Sequence, residues 1–386
     1  MARINTNVSS LISQSNLARS NADLGVRLQR LATGLRINRG ADDPAGLIVS
    51  ERLRSEMKGL NQAIANSERA SSVIATAEGA LAEVAELLNS IKSLVVQSAN
   101  SGALSREEID ANQLQIDSAI ESITRISNTT SFAGLKLLNG SMSYLTSGIP
   151  TSAITNADIH GVNFGSNSSL PVSVEVISSA QTAELFLSGN TAGAPGALLS
   201  SVSIEIAGNL GVTTLQFVSG TALSAVVAAV NTFTGTTGVQ ASLVSAADQT
   251  SGLVFNSTAY GSDKFVSVRK VGQGGDFFNV AQAQGGAIVQ RDTGRDVVAI
   301  INGVLGQGKG LDVSVNSPSL SLELNLDEDF AQTTGSVKNF SITGGGSLFQ
   351  LGASVNSNQQ VGIGIESVAA SRIGGTLVNS VQYYLD

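Results

Sequence analysis

The chain has 386 residues, more than one hydrophobic core usually organises, so two or three domains are expected. Apolar residues make up 42%, but aromatics are only 4%, charged residues only 13% and Trp is absent, a mixture that suits Ala-rich helices and Gly-rich β structure and suits enzyme pockets poorly. The lack of Cys excludes disulfide frameworks and thiolate metal sites, and the net charge of −8 is uneven: residues 1–40 hold six Arg against Asp23 alone, whereas residues 141–386 hold 8 basic and 16 acidic residues. The basic start has no aromatic, so no nucleic-acid partner is expected. Met1-Ala-Arg-Ile-Asn-Thr-Asn lacks the apolar core and cleavage site of a secretory signal, and no stretch has the roughly 18 apolar residues of a membrane span.

In chain order, residues 1–130 carry a helical code. A first helix is expected over roughly Asn5–Thr33, with Leu17, Leu24, Leu28, Leu31 and Leu35 in one stripe. Gly34 and the run Asn38-Arg39-Gly40-Ala41-Asp42-Asp43-Pro44 break it, with Asp43 placed to cap a second helix and Pro44 at that helix's first position. The second helix runs from Pro44 to about Gln97 with a seam of Leu53, Met57, Leu60, Ile64, Ile74, Ala77, Leu81, Val84, Leu88, Ile91 and Val95. Ser67 and Ser71 fall on that seam and thin it. Asn100-Ser101-Gly102 turns the chain, and Ser105-Arg106-Glu107-Glu108 is a capping box for a third helix bearing Ile109, Ile116, Ile120, Ile123 and Ile126. The two helices form an antiparallel hairpin whose apolar seams need further partners.

After Thr129 the period changes from 3.6 to 2. Phe132–Gly140 suggests a short strand pair, and strands are expected at Val172–Ile177, Val202–Ile206, Thr213–Val218, Val239–Val244, Leu253–Asn256, Phe265–Val271, Val297–Ile301, Leu311–Val315 and Leu320–Leu326. Thr221–Phe233 is a short helix, Gln181–Leu198 the weakest part and a candidate loop, and Val361, Ile363 and Ile365 alternate again. The fold class is therefore α+β: a long antiparallel coiled-coil stem with a β-rich insert.

Catalytic chemistry has little to stand on. His160 is the sole histidine, in a loop-like setting, and with no Cys it makes no ordinary zinc site. No Gly-x-Ser-x-Gly elbow and no His-Glu-x-x-His are present. Asp42-Asp43 is explained by helix capping and Asp327-Glu-Asp329 by a solvated acidic turn. Gly272–Gly275 is followed by no Lys-Ser/Thr and is no phosphate loop. The expectation is no enzyme, no catalytic residue, no metal and no cofactor.

The run Leu31-Ala-Thr-Gly-Leu-Arg-Ile-Asn-Arg-Gly-Ala-Asp-Asp-Pro-Ala-Gly46 resembles the most distinctive segment of bacterial flagellins, and the resemblance continues through Met57–Ala63, Ala77–Leu81, Leu94–Asn100 and Phe132–Gly140. Within the insert, Ile204–Val271 looks like the small flagellin and hook module, and Gly344–Ala353 like the return from insert to stem. The resemblance implies a structural subunit that polymerises with itself into a helical filament for swimming motility. An assembly motif is implied at Gly34, Leu35, Arg36, Ile37, Asn38, Asp42, Asp43, Ala45 and Gly46. It implies residues 1–43 in the inner tube, 44–140 in the outer-tube stem, 141–340 as an outward β-rich insert (module about 201–271) and 341–386 as the return strand. Export through the flagellar type III apparatus, an extracellular place in the flagellum, and cap and hook-junction proteins as partners are implied with it. So is a contact region for the animal innate-immune flagellin receptor around Leu94 and Gln97; the family motif has Arg where this chain has Ser90, so weak or absent activation is expected. Flagellins end in two long helices, and this chain stops at Asp386, where they should begin; a fragment of a longer protein is expected, with a truncated paralogue as the alternative. A hook-filament junction or minor flagellar protein, and a secreted adhesin on a flagellin-like stem, are the competing readings.

Overall fold

The computed structural model describes residues 7–100, 102–165, 167–189, 195–378 and 381–385. The N-terminal period of 3.6 is realised as three helices, α1 (Val8–Thr33), α2 (Pro44–Ser98) and α3 (Arg106–Thr129). The expected start at Asn5 lies outside the described residues; α1 begins after Asn7, whose side-chain oxygen accepts from the Ser10 amide at 3.1 Å. Its end is set by Gly34, at φ +68°, the left-handed residue that closes a helix. For α3 the capping box is complete: the Glu108 amide donates to Ser105 Oγ at 3.3 Å and the Ser105 amide to Glu108 Oε2 at 2.8 Å. Those bonds from Ser105 hold the Glu108 carboxyl below its ordinary value. No helix among the described residues is long and apolar enough to cross a membrane.

Two compact units divide the chain: Met1–Ser71 with Gln350–Gln359, and Ser72–Phe349 with Gln360–Asp386. In the first, α1 buries none of its residues. On α2 the buried positions are Ala63 and Ala70, while Leu60 and Ile64, the expected seam, remain 50% and 58% exposed. Segment 350–359 lies along the small residues: the Asn66 amide donates to Gln350 O at 3.2 Å, and a Cβ added to Gly59 would sit 3.1 Å from Ala353. Backbone approaches closely only where side chains are small, and this displaces the buried stripe by one residue from the large apolar ones.

In the second unit the expected seam is partly kept: Ala77, Val84 and Ile91 are buried as expected, with Val73 beside them, while Ile74 and Leu81 are exposed. Val84 and Ile91 pack with Ile116 and Ile123 of α3, which runs back along α2; Asn112 Nδ2 donates to Ser98 Oγ at 3.2 Å near the turn. At the other end Val73 and Ala77 meet Leu137, Leu138 and Met142. The expected strand pair is a hairpin, Ser131–Phe132 against Leu135–Lys136, turning through Ala133 and Gly134 at positive φ. Ser127 Oγ, fully buried, donates to Leu138 O at 2.7 Å and ties this hairpin's exit to α3.

The β-rich part holds two cores. The first lies between a five-stranded sheet and a four-stranded sheet. Strand order in the five-stranded sheet is Val304–Leu305, Val298–Ile301, Leu170–Ser178, Val337–Gly345, Tyr144–Ser147. In the other it is Gln307–Lys309, Asp312–Asn316, Leu320–Leu326, Ile154–Val162. Alternation sorts the faces: Val172, Val174 and Val176 are buried, as are Leu320, Leu322, Leu324 and Leu326. The second core is enclosed by two further four-stranded sheets and by α4 (Leu223–Thr232), which contributes Leu223, Val226 and Val230. Every expected strand is present within a residue or a few of its place.

Several expectations are corrected. Gln181–Leu198 is not all loop: Glu184–Ser188 is a strand with Leu185 and Leu187 buried, although 190–194 lie outside the described residues. His160 sits in the strand Ile154–Val162, exposed, with its carbonyl accepting from the Gly364 amide. Asp327-Glu-Asp329 is not a free acidic turn but the start of a short helix, Glu328–Gln332, capped by Asp327 and anchored by buried Phe330. Strands Ile154–Val162 and Val337–Gly345 were not anticipated; Asn, Asp, Gly and Lys on their outer faces dilute the alternation that marks a strand.

Candidate assembly site

The connection between α1 and α2 is a structured loop. Asp42 reaches back across it: the amides of Asn38 and Arg39 both donate to Asp42 Oδ2, each at 3.0 Å. Asn38 Nδ2 donates to Leu35 O at 3.2 Å, and the Asp42 amide to Arg39 O at 3.0 Å. Asp43 caps α2, accepting from the Gly46 amide at 2.8 Å, with Pro44 at the first helical position. Arg36 lies 3.8 Å from Asp43 in an exposed pair. A Cβ at Gly46 would meet the Asp43 carboxylate and come within 2.9 Å of Ile37 Cδ1, so the close approach requires glycine. Ala45 is exposed in the first turn of α2, and Leu35 is exposed beside Gly34.

Thus the two aspartates, read together from sequence as caps, divide the work: only Asp43 caps the helix, and Asp42 braces the loop. The Asn38 and Arg39 amides hold the Asp42 carboxyl below its ordinary value; desolvation opposes them, and the charges of Arg30 and Arg39 add to the lowering.

Flanking this loop, apolar residues are in the open. Val8, Leu11, Ile12, Leu17, Leu24, Leu28 and Leu31 on α1, and Ile48, Leu53, Met57 and Ile64 on α2, are all more than half exposed, Leu31 at 81%. Isolated helices are marginal in water, and soluble surfaces rarely display contiguous apolar area on this scale without a partner. Farther along α2, Leu94 is half-buried against the α2–α3 core, while Ser90 and Gln97 are exposed. Among the described residues no group of three or more His, Asp or Glu side chains could hold a metal ion.

Residues 4–143 match the bacterial flagellin N-terminal helical region, and residues 203–259 match the flagellin hook IN motif. A flagellin of Xenorhabdus nematophila is 44% identical over 137 residues, 36% of this chain and 44% of that protein. A B-type flagellin of Pseudomonas aeruginosa is 43% identical over 156 residues, 40% of this chain and 32% of that protein. A flagellin of Bacillus subtilis is 36% identical over 175 residues, 45% of this chain and 56% of that protein. Among solved structures, the Escherichia coli flagellar cap protein FliD aligns at a TM-score of 0.36 and 18% identity over 59% of this chain and 64% of that one. The chain's N-terminal third is thus similar to the flagellin helical region, and a segment of its β-rich part to the flagellin hook motif. The alignments span between about a third and just over half of the length of these relatives.

Proposed function

We propose that this chain is a structural subunit that polymerises into a bacterial flagellar filament for swimming motility, and that it catalyses nothing. The observation that carries the reading is α1, 26 residues without one buried side chain, joined through a braced loop to a second helix whose first half buries only Ala63 and Ala70 among the described residues. An apolar stripe of this length is stable in water only when covered, and repeated copies of the same helices supply a cover. Residues 1–43 serve as the inner-tube layer, 44–140 as an antiparallel coiled-coil stem of the outer tube, 141–340 as the outward insert and 341–386 as the return to the stem. The motif Gly34–Asn38 with Asp42, Asp43, Ala45 and Gly46 is the assembly joint.

The subunit's partners are copies of itself, with the type III export apparatus, cap and hook-junction proteins acting on it in transit, and its place is extracellular. The similarity of the N-terminal region to flagellins and the acidic, β-rich composition of the insert support this arrangement. Leu94 packs the helix pair, and Gln97 is the more accessible of the two residues proposed for the animal receptor. The test of the central reading is deletion of residues 1–40 from the complete protein. The insert should remain soluble and folded, and filaments should no longer form; filaments of normal diameter from that variant would refute it.

A further inference from the structure

Away from the helices, the β-rich part carries a polar cleft. Its floor is one face of a four-stranded sheet of the second core. Gln240 stands opposite Asn256 in register, and Asn256 opposite Glu184, so the three side chains form one row across three neighbouring strands. The other face of the same strands sends Ala241, Phe255 and Leu185 into the core. The walls come from three further places: Asp292 from the strand Arg291–Thr293 of the adjoining sheet, Tyr260 from the turn after Asp248–Ser257, and Gln332 from the end of the short helix anchored in the first core. The cleft has a volume of about 650 Å³, within the roughly 300–1,000 Å³ of small-molecule sites.

Its polar groups hold one another in place. Glu184 Oε1 accepts from Asn256 Nδ2 at 3.0 Å and from Thr182 Oγ1 at 3.3 Å, and Gln332 Nε2 donates to Tyr260 Oη at 2.8 Å. Asp292 Oδ2 accepts from the Glu184 amide at 2.8 Å, and its Oδ1 accepts from Gln282 Nε2. These bonds engage amide donors and leave the side-chain oxygens of Asn256, Gln282 and Gln332, and Oε2 of Glu184, without a partner among the described residues. Burial first, then the charges of Glu328, Asp329 and Glu184, push the Tyr260 phenol up, so it keeps an O–H to donate. No Lys or Arg lines the cleft. Fixed acceptors, a phenol and two carboxylates complement a ligand rich in hydroxyl donors and repel an anion. We propose that this cleft binds a neutral, hydroxyl-rich ligand, an uncharged oligosaccharide, with Glu184 and Asn256 accepting from its hydroxyls and Tyr260 donating to it. The proposal stands apart from the filament function, because the cleft lies wholly within residues 180–332. In a polymer, repetition of a weak site raises avidity.

The test is a calorimetric titration of the complete protein with lactose, maltotriose and chitotriose, each paired with the analogue carboxylated at C6 of its terminal sugar, and with calcium chloride alone. At least one uncharged sugar should bind at millimolar concentration or tighter, and its carboxylated analogue more weakly. Glu184→Ala should weaken that binding about tenfold, the loss of a hydrogen bond to a charged group. Gln240→Leu, at an exposed rim position outside both cores, should weaken it less, with the β melt in circular dichroism unmoved. The proposal is overturned if no uncharged sugar binds, or if the carboxylated analogues bind as tightly. It is overturned equally if binding is unchanged in Glu184→Ala or, should that variant melt early, in Gln240→Leu. Heat from calcium alone that is lost in Glu184→Ala would make the cleft a cation site and overturn it too.

Discussion

Gln181 and Arg295 exchange two backbone hydrogen bonds, each N–H donating to the other's carbonyl at 2.9 Å. Among the described residues the buried side chains of the second β core all lie between them and those of the first core lie outside, although Tyr260 within the stretch packs against the first core. The chain thus leaves one sandwich and re-enters it through a single antiparallel pair. Arg295 secures the crossing by donating to Ser179 O at 3.0 Å and to Ser179 Oγ at 2.8 Å.

That pair has the geometry of a two-residue hairpin end. Replacing Thr182–Gly294 by Asn-Gly should therefore leave the first sandwich folded and cooperative. Calorimetry should show one retained β transition, within about 5 °C of its counterpart in the parent. Aggregation, or loss of all β signal in circular dichroism, would show that the two cores depend on each other.

Asp296, one residue beyond the crossing, clasps both cores. It accepts from the Ser262 amide at 3.0 Å, within the stretch that carries the second core, and from the Gly310 amide at 2.7 Å, within the part that carries the first. Partial burial pushes its carboxyl up, but the Gly310 and Ser262 bonds outweigh that and leave it below the ordinary value. Its contribution is present above the unfolded carboxylate range and is lost as pH falls through the lowered folded value. Protection factors at Ser262 and Gly310, with the intrinsic slowing of exchange at low pH divided out, should fall on acidification in wild type and be already low, and flatter with pH, in Asp296→Ala. Equal protection of the variant and the parent would contradict the clasp.

Two apolar truncations on the helices should behave oppositely. Ile123→Ala empties a fully buried site between α2 and α3 and should cost about 3 kcal/mol in monomer unfolding. Leu31→Ala, at an 81% exposed site, should leave monomer stability unchanged and raise the critical concentration for polymerisation. Denaturant titration and sedimentation of polymer measure the two quantities; an effect of Leu31→Ala on the monomer alone would refute the assembly surface.

The capping box gives a local test. Ser105→Ala removes the acceptor for the Glu108 amide and should destabilise the α2–α3 hairpin by about 1 kcal/mol. Thermal melts followed in the helical circular-dichroism band should move down accordingly, with the β transition unmoved.

For the proposed receptor contact, Ser90→Arg in the complete protein should raise potency in a reporter-cell titration by tens-fold, matching the about 2 kcal/mol of an interfacial Arg. Ser90 is exposed one turn from Leu94, so the substitution does not disturb the α2–α3 core. No gain, from an already strongly activating parent, would defeat the idea.

By itself the sequence determined what is local. Helix length follows from the apolar period, helix ends from Asn7, Gly34, Asp43 with Pro44 and the Ser105–Glu108 box, and strands from unbroken alternation as in Leu320–Leu326. The loop Gly34–Gly46 was legible for the same reason, since the hydrogen bonds of Asn38, Asp42 and Asp43 join residues no more than four apart. Tertiary structure alone decided where along α2 the expected seam is covered. Ala77, Val84 and Ile91 of that seam are buried, but nearer the start contact went to Ala63 and Ala70, where small side chains let another backbone come close, and Leu60, Ile64, Ile74 and Leu81 stay outside. Tertiary structure also decided the roles of neighbours identical in chemistry. Asp42 and Asp43 differ only in where the folded loop places their amide donors, and Gln181 meets Arg295 across 113 residues of intervening chain, a pairing that no local pattern encodes.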